Sequence, residues 1–161
     1  MSIICHHGYG YSWKLCEDVS SWFINQYFPR HKITLDIVHR SLKSDNVRGY
    51  CDVSPGERQY NPRHFLIELD THMSEEWYIK TLFHELTHLA QWIRGDLRFR
   101  RGKLCYSQEP VENWDYEDQP HEIEAREEEV RLYDLYLIDK QGVPPGQTGH
   151  YFPNRLMAPV Y

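Results

Sequence analysis

Apolar residues recur along this chain with two different periods, and each change of period marks an element. Over residues 12–28, Trp13, Cys16, Val19, Ser20, Phe23 and Tyr27 fall along one side of a helix that Pro29 ends. Residues 33–39 alternate apolar with polar positions, which is the pattern of a half-buried strand. Gly49–Val53 offers a second strand, and His64–Leu69 a third, with Phe65, Ile67 and Leu69 opposed to His64, Leu66 and Glu68. The helical period then returns. Ser74 can cap a helix whose first turn carries Glu75 and Glu76, acids suited to the positive end of its dipole. Ile79, Leu82, Leu86, Leu89 and Ile93 form its apolar stripe, and Gly95 stops it. Asp118 or Gln119 can cap a further helix that Pro120 opens, with apolar positions at Ile123, Val130, Leu135 and Ile138 over residues 122–139. Beyond Asp139 the glycines and prolines at 142, 144, 145, 146, 149 and 153 exclude regular helix. Residues 140–161 therefore read as an extended tail, with Tyr151, Phe152, Leu156, Met157 and Tyr161 apolar enough to dock on the body. A helix, a small sheet and two helices predict a single α+β domain over residues 1–139, with the helices on one side of the sheet.

Composition narrows the classes. A chain of 161 residues is long enough to bury a core without disulfides, and 14% aromatic content makes that core rich in rings. The four cysteines are widely spread and read as reduced thiols. Cys5, His6, His7 and Cys16 match no common structural zinc spacing, which leaves a second metal site there disfavoured. Residues 1–11 lack the basic start and apolar run of a signal peptide, and no stretch is apolar enough to span a bilayer, so the expectation is a soluble, cytoplasmic protein without a membrane partner. The net charge of −6 argues against broad nucleic-acid binding. Arg94, Arg98, Arg100, Arg101 and Lys103 are the local exception, and are expected to form a solvated face paired with the acidic run over residues 109–129.

The candidate chemistry lies in His84-Glu85-Leu86-Thr87-His88. On a helix its two imidazoles sit one turn apart on one face, at the spacing a single zinc ion requires, and Glu85 stands where it can take a proton from a water at the open side of the metal. With 10 histidines and 14 glutamates in the chain, shuffled composition would produce the pattern with a probability of roughly 0.05. The capped, striped helix around it raises the odds, because a metal site needs both histidines on a regular element. A catalytic zinc takes a third protein ligand and keeps a fourth position open. His121, Glu122 and Glu124, at the start of the last helix, all have the chemistry for it, and spacing alone does not choose among them.

The pair of segments HELTHLAQWIRG and YEDQPHEIEAR resembles the minimal zinc metallopeptidase-like proteins of bacteriophages, in which a His-Glu-x-x-His helix is followed by a helix opening with Pro-x-Glu-x-x-Ala. It is similar more broadly to the gluzincin peptidases, whose third ligand is a glutamate from a helix after the motif. The likeness covers mainly residues 64–139. It implies a zincin-like fold, with zinc held by His84, His88 and Glu122, Glu85 as general base, and Ala125 as the small residue that follows. Glu124, directly before an alanine and followed by Glu128 as a supporting acid, is the runner-up. The related SprT-like proteins use a histidine instead, which would nominate His121.

The function expected is that of a zinc-dependent metallopeptidase acting on a peptide or protein. The resemblance further implies that the strand preceding the motif helix is an edge on which an extended substrate pairs. Tyr116, Tyr106, His121 and His150 are candidate donors to the developing oxyanion, with Tyr116 preferred for its nearness to the third-ligand helix. Two alternatives stand beside this. One is a non-catalytic structural or virion-associated protein whose zinc only ties two helices together; the other is a nucleic-acid-associated protease of the SprT-like kind, resting on the arginine cluster.

Overall fold

The structure, a computed structural model, describes residues 1–142. Its larger sheet contains β1 (Ile3–Gly8), β2 (Thr34–His39), β3 (Gly49–Val53) and β4 (His64–Leu69), in the spatial order β1-β2-β4-β3. β1, β2 and β4 are parallel, and β3 runs antiparallel to β4 at the other edge. The register places Leu35, Ile37, Phe65, Ile67 and Leu69 on one face, all fully buried.

That face is covered by α1 (Trp13–Tyr27) and α2 (Glu75–Arg94). Ser12 caps α1 by accepting from the Leu15 N–H, and Ser74 caps α2 by accepting from that of Trp77. Gly95 ends α2 in the left-handed conformation (φ 81°) that a residue with a side chain adopts reluctantly. Cys16, Val19, Phe23 and Tyr27 of α1 meet Ile79, Leu82, Phe83 and Leu86 of α2 over the sheet. Burying so much apolar area, at about 25 cal/mol per Å², is the main force holding the layers together. Trp13, assigned to the buried stripe, is instead half exposed and stacks on His6.

After α2 comes a small antiparallel sheet of β5 (Leu97–Arg100), β6 (Lys103–Tyr106) and β7 (Glu109–Pro110). Arg101 and Gly102, both at positive φ (53° and 77°), form the two-residue turn between β5 and β6. The chain then enters α3 (Pro120–Gln141), which packs along α2. Gln119 is its cap residue but makes no side-chain capping bond.

The inward face of α3 differs from the expected one. Ile123 is 40% exposed, whereas His121, Glu122, Glu124, Glu128, Arg131 and Asp134 are buried beside Ala125, Leu132 and Tyr136. This helix buries charge through paired contacts rather than an apolar stripe. Glu128 is engaged with Arg131, three residues on, and is therefore no support for Glu124. Because α3 continues to Gln141, the first two residues assigned to the tail are helical; the remainder of the expected tail, with His150, lies outside the described residues. Among the described residues no helix is long and apolar enough to cross a membrane.

Candidate metal centre

α2 and α3 bring His84, His88 and Glu122 together. Their ligand atoms all lie within 4.8 Å of one another, the only such group of histidine, cysteine and carboxylate side chains among the described residues. Nε2 of His84 is 3.0 Å from Oε2 of Glu122, and Nε2 of His88 is 3.0 Å from Oε1. Ligand atoms bonded at about 2.0–2.1 Å in a tetrahedron stand roughly 3.3 Å apart, so the two histidine–carboxylate separations are close to those one ion would set.

The remaining ring nitrogens show which tautomers are present. Nδ1 of His84 is 2.8 Å from Oε2 of Glu129, a carboxylate that can only accept, so this nitrogen carries a proton. For His88 the tautomer is set through the neighbouring Gln91 amide. The Gln91 side-chain N–H donates to the His121 carbonyl at 2.9 Å, which fixes the amide orientation and leaves Oε1 of Gln91 to accept from Nδ1 of His88 at 2.8 Å. Both Nε2 lone pairs are thus directed at the Glu122 carboxylate. Acceptors facing acceptors at 3.0 Å are unfavourable unless a cation, either a proton or a metal ion, sits between them.

The electrostatics agree. Burial disfavours charge on His84, but the Glu122 and Glu129 carboxylates outweigh it and push its pKa up to about 10. Burial is likewise overcome at His88, mainly by Glu122, and at Glu122 itself, where the two imidazoles hold the carboxyl well below the usual range. The site therefore attracts positive charge and competes with protons for it.

Glu85 is buried, and burial raises its pKa against the opposing pull of His88 and His84. It lies on the side of α2 facing β3, where a Cβ on Gly49 would come within 3.0 Å of its Oε1. With His84 it lines a cleft of about 770 Å³ that also includes Tyr116, Arg48, Arg126 and Glu129. Tyr116 is 61% exposed, and burial of its hydroxyl end together with Glu122 and Glu85 raises its pKa. Cys51, beside Glu85, is kept a neutral thiol by burial and by that carboxylate.

Of the other sequence candidates, Glu124 and Tyr106 are engaged with each other and His121 lies beside the site. Glu124 is bound by Arg94 at 2.8 Å and by the Tyr106 hydroxyl at 2.5 Å, so both its oxygens face away from the histidine pair. Tyr106 is thereby committed to Glu124. His121 lies alongside His88, with its Nε2 3.9 Å from Oε1 of Glu122; burial, then the neighbouring His88, lowers its pKa to about 4. Cys16 is in the core while His6 stacks on Trp13 and His7 reaches Asp36, so the N-terminal cysteines and histidines form no site. Of the basic cluster only Arg94 meets the acidic run; Arg98, Arg100, Arg101 and Lys103, on the β5–β6 hairpin, make no ion pair among the described residues. β4 is not the edge strand either, since β2 and β3 flank it, and the free edge beside α2 belongs to β3.

Sequence reasoning missed Gln91 and Glu129. The signal was present in helical spacing: Gln91 is three residues after His88, and Glu129 is two turns after Glu122 on the same face. The chain matches no protein-family model, no curated protein and no solved structure.

Proposed function

We propose that this chain is a zinc-dependent metallopeptidase of gluzincin-like, zincin-fold character, with His84, His88 and Glu122 as the metal ligands. The observation that carries the reading is the pair of Nε2 atoms converging with the Glu122 carboxylate, next to an uncommitted acid, Glu85, on a cleft. A zinc ion held there would supply Lewis acidity, acidifying a water and polarising a carbonyl oxygen. Glu85 would take up the proton such a water gives and pass it to the leaving amine. Its raised pKa suits both tasks, because a carboxyl nearer neutrality is the stronger base and, once protonated, still an effective acid at the next step. Tyr116 lines the same cleft with its hydroxyl bonded to Glu122, and would turn that hydrogen to the oxygen on which negative charge develops.

The free edge of β3 supports a peptide as substrate, since an extended chain could pair with its backbone while the residue opposite Gly49 meets Glu85. A purely structural zinc would call for a fourth protein ligand closing the site and has no use for a base beside a cleft. The test is proteolysis by the wild type and by Glu85→Gln at equal zinc content. Cleavage by the first and none by the second is expected; equal cleavage by both would remove Glu85 from the mechanism.

A further inference from the structure

The cleft beside His84 and Glu85 is lined by as many cations as acids, in a molecule that is negative as a whole. Three cations line it, Lys43, Arg48 and Arg126, and among the described residues none of them has a carboxylate partner. The Arg48 guanidinium lies 4.1 Å above the Trp77 ring, which holds it in place without neutralising it. Arg126 donates to the backbone carbonyl of Glu117. Two of the three acids lining the same cleft are already engaged. Asp70 accepts from the backbone N–H groups of Leu42 and His72, and Glu129 holds Nδ1 of His84. Glu85 is buried behind Gly49. What the cleft offers an incoming molecule is therefore a set of cationic groups without carboxylate partners, in a chain of net charge −6.

The two arginines also stand on different walls. Arg48 directly precedes Gly49, so it belongs to the β3 side, where Glu85 lies. Arg126 follows Glu122 by one helical turn and acts on the neighbouring Tyr116, so it belongs to the α3 side. A guanidinium presents a planar fork of N–H donors that fits a carboxylate, and two of them line the cleft that His84 and Glu85 also line.

We propose that this cleft selects peptides bearing a carboxylate close to the scissile bond, gripped by Arg48 and Arg126 with Lys43 adding to the field. The inference rests on the peptidase reading and names its substrate class. The carboxylate could belong to an Asp or Glu side chain or to a free C-terminus; the recognition chemistry is the same.

Binding separates the proposal from catalysis. The zinc-loaded Glu85→Gln chain would be titrated with short labelled peptides that differ only in a Glu, Gln or Lys near the centre, each with an amidated end, and with a free-acid form of the Gln peptide. Fluorescence anisotropy at low and physiological salt gives the affinities. The Glu peptide, the free-acid peptide or both should bind about tenfold more tightly than the amidated Gln peptide, the Lys peptide should bind most weakly, and the differences should shrink with salt. Adding Arg48→Glu and Arg126→Glu should invert the order, so that the Lys peptide gains; a gain cannot come from misfolding. Equal affinity for all the peptides would overturn the charge preference and leave the peptidase reading standing. No binding of any peptide by the zinc-loaded chain would overturn both.

Discussion

Replacing Glu129 by leucine should weaken zinc binding although Glu129 is not itself a ligand. Its Oε2 accepts the Nδ1 proton of His84 at 2.8 Å, in a setting where the two side chains are 18% and 14% exposed. That bond does two things: it fixes the tautomer that leaves Nε2 free, and it makes the imidazole a better donor to a metal. A hydrogen bond to a charged group contributes about 1.5–3 kcal/mol. Loss of such a supporting partner typically lowers metal affinity about 10- to 100-fold, or about 1.4–2.7 kcal/mol, so the two estimates overlap. Glu129→Leu should therefore raise the zinc Kd by that factor. Glu129→Gln, which keeps an acceptor and loses the charge, should fall between the variant and the wild type. Glu127→Leu, exposed on the opposite side of α3, is the control. Competition against a chromophoric chelator at fixed pH measures all four proteins. A Glu129→Leu chain that binds zinc as tightly as the wild type, or a Glu127→Leu chain weakened equally, would refute this account of the site.

Four further outcomes follow from the same geometry. His84 carries a proton up to about pH 10 in the metal-free chain, against an ordinary value of 6.5, so zinc must displace it: affinity should rise with pH across this interval, and calorimetry in buffers of different ionisation enthalpy should detect proton release. Since that folded pKa is raised, the stabilisation from the proton is complete below about pH 6.5 and lost as pH approaches about 10; thermal melts of the metal-free wild type should show the decline and those of His84→Gln a smaller one. Glu124→Ala should leave zinc stoichiometry intact but cost about 3 kcal/mol in chemical denaturation, because it deprives Arg94 and Tyr106 of their buried carboxylate. Gly49→Ala, whose Cβ would stand 3.0 Å from both the Glu68 carbonyl and Oε1 of Glu85, should keep its zinc while its kcat on a peptide falls about tenfold.

The elements legible in the sequence are those whose burial is apolar. α2 announced itself through Ser74, its stripe from Ile79 to Ile93, and Gly95, all of which occupy the expected positions. β2, β3 and β4 followed from alternation, and α1 from its spacing. β1 was missed because an edge strand with His6 and His7 exposed shows little alternation of polarity. The β5–β6 hairpin was read as a charged face, although Leu97 and Phe99 alternate with Arg98 and Arg100 and Gly102 marks the turn. In α3 burial and hydrophobicity part company: Glu122 and Glu124 are buried by their partners, and Ile123 between them is exposed, so no apolar period could locate its inward face. Nor could spacing show that Glu124 is engaged, because its partners Arg94 and Tyr106 are distant from it in sequence.

The most direct test of the central claim is a crystal structure of the zinc-loaded chain with anomalous data at the zinc edge. One ion is expected between α2 and α3, bonded to Nε2 of His84 and His88 at about 2.0–2.1 Å and to an oxygen of Glu122 at about 2.0–2.2 Å, with its remaining position open towards Glu85 and the cleft. A chain that takes up no zinc, or a zinc whose fourth position is closed by another protein ligand, would contradict the account.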